Sequence, residues 1–96
     1  MDLLVTYDVE TTTPDGRRRL RRVAKYMEGY GQRVQYSVFE VVCGEAAYVR
    51  MLGELSLLID TAKDSVRIYR LPKAALDEVV ELGQAAPVDH RGPLIV

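Results

Sequence analysis

The chain has one cysteine, one histidine, no tryptophan and a single phenylalanine, and these scarcities exclude several kinds of chemistry. One cysteine cannot build an intrachain disulfide framework, so a reducing compartment is expected. Cys43 and His90 together cannot supply the ligand set of a structural zinc site. No histidine or asparagine constellation activates Cys43, which reads as a small hydrophobe near a strand end, while His90 reads as an exposed residue of a tail. No apolar run approaches the roughly 18 residues that span a membrane, and the start, Met1-Asp2-Leu3-Leu4, lacks the basic region and long apolar stretch of a secretory signal. A cytoplasmic protein is therefore expected. Glycine-rich phosphate loops of the Walker or dinucleotide type are missing as well.

What remains is a short chain of 96 residues, 48% apolar and 28% charged, with 7 glycines and 4 prolines. That describes one compact domain with a small core. Apolar surface that such a core cannot cover is expected to be covered by a partner, so oligomerisation is the default. The formal charge of -1 argues against a nucleic-acid partner only as a total. Residues 17–33 hold 7 Lys and Arg against one acid, Glu28, a balance of +6; the remainder carries 6 basic and 13 acidic residues, a balance of -7.

Along the chain, Leu3 to Val9 is a short apolar run rich in strand-forming residues, and it predicts a buried first strand. Thr13-Pro14 or Asp15 supplies an N-cap and a first-turn proline for a helix to about Tyr30, with Gly29 and Gly31 around its end. Leu20, Val23, Ala24, Met27 and Tyr30 form its apolar face, and Arg18, Arg22 and Lys25 run beside them as a basic stripe. That stripe reads either as a solvated face or as a phosphate-binding one. Arg33 to Val42 reads as strand, continuous unless Tyr36-Ser37 bends it. Glu45 to Ile59 returns to helical spacing, Ser65 to Leu71 alternates as a strand, and Glu78 to Leu82 reads as a further short strand. The expected fold is α+β: a ferredoxin-like sandwich over residues 1–83, a mainly antiparallel sheet with two helices on one face. Residues 84–96 are expected to be a proline-bearing tail whose apolar Leu94-Ile95-Val96 adds a strand at a subunit interface.

Asp8 closes the first strand, where it reads either as a turn carboxylate or as one carried to the sheet's end by rigid backbone. A single carboxylate is a thin ligand set, yet magnesium commonly takes one or two protein carboxylates and completes its shell with water and phosphate oxygens. A two-fold axis near Asp8 would supply the second. Arg33, Gln35, Ser37 and Arg67 offer donors on strands, and Arg17, Arg18, Arg19, Arg21, Arg22 and Lys25 carry most of the positive charge. Arginine far outnumbers lysine, a bias that favours phosphate contacts over mere solubility. Phe39 reads as core or as a stacking platform.

Tyr7-Asp8-Val9, the basic helix Arg17 to Lys25 ending in Tyr30-Gly31, the string Gln32-Arg33-Val34-Gln35-Tyr36-Ser37-Val38-Phe39-Glu40 and the later Asp64-Ser65-Val66-Arg67-Ile68-Tyr69 resemble the CRISPR-associated protein 2 family. The resemblance runs from Met1 to about Gly83. It implies a ferredoxin-like homodimer in which two copies of Asp8 face each other and bind magnesium, or manganese, for endonuclease cleavage of RNA or DNA. It also implies spacer acquisition beside the CRISPR-associated integrase, with the dimer bridging integrase subunits and holding duplex DNA. Residue by residue, Asp8 takes the metal-ligand and catalytic role, Tyr7 sits beside it, Arg33 and Phe39 match positions tied to nuclease activity, and Arg19 and Arg22 match basic helix positions. The chain departs from the family pattern in a longer segment between Val9 and Arg17 and in Leu20 at a commonly basic position. A toxin-like messenger-RNA interferase is the alternative on the same fold.

Overall fold

A computed structural model describes residues 1–83. Strand β1 (Asp2–Asp8) is followed by helix α1 (Pro14–Glu28), the strands β2 (Gly31–Gln35) and β3 (Val38–Val42), helix α2 (Glu45–Leu58) and strand β4 (Ser65–Leu71). The strands lie in the order β2-β3-β1-β4 with every neighbouring pair antiparallel, the sheet of a ferredoxin-like α+β sandwich.

Period-two alternation decides which side of the sheet becomes core. Leu3, Val5 and Tyr7 of β1 lie across from Val41, Phe39 and Ser37 on one side, and from Arg70, Ile68 and Val66 on the other. Leu3, Val5, Phe39 and Val41 are fully buried, as are Val23 and Met27 of α1 and Met51 of α2, with Leu55 nearly so. That set is the core, and it fixes the helix-covered face. The alternate positions, Asp2, Leu4, Thr6 and Asp8 on β1, Val38, Glu40 and Val42 on β3, and Ser65, Arg67 and Tyr69 on β4, form the other face, which neither helix covers; at its Asp2 end the turn after β4 closes over it, Leu76 N donating to the buried Asp2 carboxylate at 2.9 Å.

Helix α1 starts as its sequence predicts: Thr13 is the N-cap and its Oγ1 accepts from Gly16 N at 3.1 Å, with Pro14 in the first turn. Gly16 is required there for space, because a Cβ would be driven into the carbonyl of Glu10. The run Arg33 to Val42 proves to be two strands, turned back at Tyr36-Ser37. Gly31 and Arg33 pair with Val41 and Phe39, and Gln35 with Val38, the ladder shifting register between Arg33 and Gln35. The sequence carries no Asn-Gly or Asp-Gly turn signal here, so periodicity alone runs straight through the turn.

One expected element is absent. Glu78 to Leu82 makes no ladder with the described residues: Ala75–Glu78 is a single 3-10 turn entered through Ala74 at φ 62, and Val79, Val80 and Leu82 beyond it are exposed. A strand needs an edge to pair with, and hydropathy cannot say whether the chain provides one. The tail expected at 84–96, including Leu94-Ile95-Val96, lies outside the described residues.

Candidate metal and nucleic-acid site

Asp8 is the last residue of β1, in register with Ser65 of β4, and it is exposed on the uncovered sheet face. Its neighbours are held hard. Tyr7 is 6% exposed; its N–H donates to Ser37 O at 3.1 Å and its hydroxyl to Tyr36 O at 3.2 Å. Two residues after Asp8, Glu10 N donates to the buried carboxylate of Asp64 at 3.0 Å. A short stretch of strand thus presents an exposed carboxylate between two anchored flanks.

Tyr7, Arg33 and Phe39, the other residues named with Asp8, form a group of their own. Tyr7 and Phe39 stack with ring centroids 6.1 Å apart, and the guanidinium of Arg33 lies 5.0 Å from the Phe39 centroid. Phe39 is fully buried and the Arg33 side chain is 8% exposed, reaching Glu28 Oε1 at 3.4 Å. By strand alternation Tyr7, Arg33 and Phe39 occupy the helix-covered face, and Asp8 the opposite one. Burial pushes the Tyr7 phenol above its ordinary range, with Arg33 opposing but not cancelling the effect. Tyr7 is therefore a neutral donor at physiological pH that pins the β2–β3 turn. The structure gathers three of the four expected catalytic residues into a packed cluster and leaves Asp8 on the far side of the sheet within one chain.

The basic helix divides in a similar way. Arg17, Arg18, Arg21, Arg22 and Lys25 are exposed on α1; Arg18 pairs with Asp15 across one turn at 2.8 Å, and Arg17 Nη1 donates to Thr11 O at 3.2 Å. Such exposed contacts are weak and easily exchanged for a phosphate. Arg19 has a different occupation from the one its position suggested. Its Nε donates to Asp64 Oδ2 at 2.8 Å and its Nη2 to Asp64 Oδ1 at 3.2 Å, and its side chain is 15% exposed against 0% for Asp64. Asp64 also accepts from Asp60 N at 2.8 Å. The Arg19 guanidinium, with help from the two backbone donors, overrides burial and holds the Asp64 carboxyl at about 2. Composition and charge pattern gave no hint of this role for Asp64, which entered the sequence reading only as the first residue of the string Asp64-Ser65-Val66-Arg67-Ile68-Tyr69.

Asp8 is a hard oxygen donor, exposed and free to turn toward a cation, which suits magnesium. Among the described residues no group of three or more His, Cys, Asp or Glu could hold a metal ion. Within one chain Asp8 would therefore be a lone protein ligand, and a metal held there would need further donors from outside the described residues. Among the described residues no helix is long and apolar enough to cross a membrane.

The chain is a small α+β sandwich with an exposed aspartate at the end of its first strand and a basic first helix. Residues 1–79 match the family model described as CRISPR associated protein Cas2. The chain is 50% identical to "CRISPR-associated endoribonuclease Cas2 3" of Rhodospirillum rubrum, over 98% of this chain and 99% of that one. It is 45% identical to "CRISPR-associated endonuclease Cas2" of Halalkalibacterium halodurans, covering 99% of each. The crystal structure of Streptococcus pyogenes Cas2 at pH 6.5 superposes with a TM-score of 0.76 at 51% identity, covering 86% of this chain and 100% of that one. The chain belongs to the Cas2 family of CRISPR-associated endoribonucleases and endonucleases.

Proposed function

We propose that the protein acts as a homodimer in CRISPR spacer acquisition, gripping duplex DNA by its backbone and bridging subunits of the CRISPR-associated integrase, with magnesium-dependent phosphodiester cleavage as a secondary activity. The observation that carries this reading is the exposed cationic face of α1, set against an otherwise acidic chain. A surface of arginines with few fixed partners suits the phosphate backbone and reads no base sequence. The dimer is supported by the uncovered sheet face, where Leu4, Val38, Val42, Tyr69 and Leu71 present apolar surface that a second copy would bury.

The nuclease reading rests on Asp8. Bound magnesium supplies an activated water and neutralises charge on the scissile phosphate. Asp8 from each chain would hold it, the rigid β1–β4 ladder fixing the carboxylate at the sheet's end. Tyr7 contributes by anchoring the strand just before Asp8. Arg33 and Phe39 contribute through the packing beneath it, since neither reaches the Asp8 face of its own chain.

The two activities separate experimentally. In cells that acquire spacers, reversing the charges of Arg18, Arg22 and Lys25 is expected to abolish acquisition, while Asp8→Asn is expected to leave it intact. Normal acquisition by the charge-reversed protein would overturn the adaptor role. In purified protein, Asp8→Asn is expected to reduce magnesium-dependent cleavage by roughly 100-fold or more; equal cleavage by both proteins would remove Asp8 from the chemistry.

A further inference from the structure

The strands of the sheet face that neither helix covers carry few charges. Among the described residues these are Asp2, Asp8, Glu40 and Arg67. Asp2 is buried and already accepts from Leu76 N at 2.9 Å. Glu40 of β3 is in register with Leu4, and Arg67 of β4 with Thr6, so the two flank β1 on opposite sides. Two strand spacings and one register step hold them apart within one chain, and among the described residues neither makes an ion pair.

The Arg67 side chain leans out of its own row. Its guanidinium lies over the ring of Tyr69, 5.3 Å from the centroid, and Tyr69 is the β4 partner of Leu4. Leu4 is also the β1 partner of Glu40. The cation is thereby drawn toward the row of Glu40, Leu4 and Tyr69, and stacking orients its planar fork without occupying its donors.

Symmetry decides what stands opposite it. In a two-fold dimer both copies present the same face, and every contact between two different residues is made twice. An axis across the strands at Asp8 would bring the two Asp8 residues together but leave Leu4, Val42 and Tyr69 uncovered. One across the middle of β1 would cover them but set Asp8 against Asp2. An axis along β1 does both, laying β1 on its counterpart and β4 on the partner's β3. The partner's Glu40 then falls opposite Tyr69, where the Arg67 guanidinium lies. Packed sheets stand about 10 Å apart, a gap that an arginine and a glutamate close by reaching from opposite sides.

We propose that Arg67 of each copy pairs with Glu40 of the other over the ring of Tyr69, and that this double contact selects a second copy of the chain and fixes the two-fold axis along β1. The proposal rests on the homodimer reading and names the residues that determine the choice of partner. Burying a charge without a counterpart is strongly unfavourable, so covering Arg67 requires an acid from across the interface. A similar sheet lacking either charge would leave the other unpaired, and the pair therefore discriminates between partners as well as holding them.

The test is dissociation of the dimer, followed by sedimentation equilibrium, with circular dichroism to verify folding. Arg67→Glu and Glu40→Arg are each expected to weaken the homodimer by about 100-fold or more, because each sets like charges together at two symmetric positions. Mixed in equal amounts, the two variants are expected to recover dimer, and native mass spectrometry to find one copy of each, since both cross-interface contacts again join opposite charges. Wild-type affinity in either variant would overturn the proposal, as would a mixture that stays monomeric. Recovery confined to a chain carrying both substitutions would overturn it too, because that is the signature of a pair within one chain. Should a charge-reversed variant fail to fold, Arg67→Gln, Glu40→Gln and the double variant decide: the double is expected to lose less affinity than the two single losses combined, and additive losses would remove the pair. A wild-type chain that sediments as a monomer would instead sink the homodimer reading itself, and the pair with it.

Discussion

At the scale of single residues, the Arg19–Asp64 pair holds the neighbourhood of Asp8 in place. A buried carboxylate with a two-point arginine contact and two backbone donors is fully satisfied, and it ties α1, the segment after β1 and the turn before β4 to one point. Removing one partner leaves the other charge buried, so Asp64→Ala is expected to cost about 3 kcal/mol, a fall of roughly 10 to 20 °C in melting temperature. The pH dependence has a definite sign. With its folded pKa at about 2 and an ordinary value of 3.8, Asp64 stabilises the fold fully above that ordinary value and loses its contribution as pH falls through the folded one. Wild-type protein is therefore expected to lose stability in that acid window, and Asp64→Asn to show a flatter profile there. An identical acid profile in both would contradict the pairing. None of this was legible in the sequence, where Arg19 read as one more of the positive charges on the first helix. The charge pattern reports how many arginines a helix holds, whereas which of them turns inward depends on a residue 45 positions away.

The elements were more legible than their edges. β1, α1, α2 and β4 follow from periodicity and from the Thr13-Pro14 cap, since each carries its own apolar pattern. Two features escaped because they depend on other elements: the turn at Tyr36-Ser37, pinned by Tyr7 of β1, and the fate of Glu78 to Leu82, which requires a free sheet edge. Glycines show the same division between local and tertiary causes. In an isolated helix any Gly→Ala change is favourable by up to about 1 kcal/mol. Gly53 of α2 has open space where a Cβ would go, so Gly53→Ala is expected to stabilise by about 0.5 to 1 kcal/mol. Gly16 of α1 faces the Glu10 backbone, so the same substitution there is expected to destabilise by about 1 to 3 kcal/mol. Chemical denaturation of the two variants checks this directly, and the same sign at both positions would show that the packing of α1 against the segment after β1 is wrong.

At the scale of the whole molecule, the chain has more apolar surface than one copy can hide. Val42, Val49, Leu57, Val80 and Leu82 are all more than half exposed, and Asp8 stands exposed at the end of β1. On the proposed reading a second copy would cover part of this surface and bring a second Asp8 beside the first. Sedimentation equilibrium at micromolar concentration is expected to give twice the chain mass, and Val42→Lys on the uncovered sheet face to shift the protein toward monomer; a wild-type protein that stays monomeric would contradict the shared Asp8 site. The family and the fold were readable from the sequence because the matching strings span nearly all of the described chain. The arrangement of the site was not, because whether two residues share a face depends on strand register. The most direct measurement of the central claim is the affinity of the wild type and of an Arg18→Glu, Arg22→Glu, Lys25→Glu variant for duplex DNA across a salt series. Steep salt dependence in the wild type, with weak and nearly salt-independent binding in the variant, is the expected result; equal affinities and equal slopes would contradict a DNA-gripping role for α1.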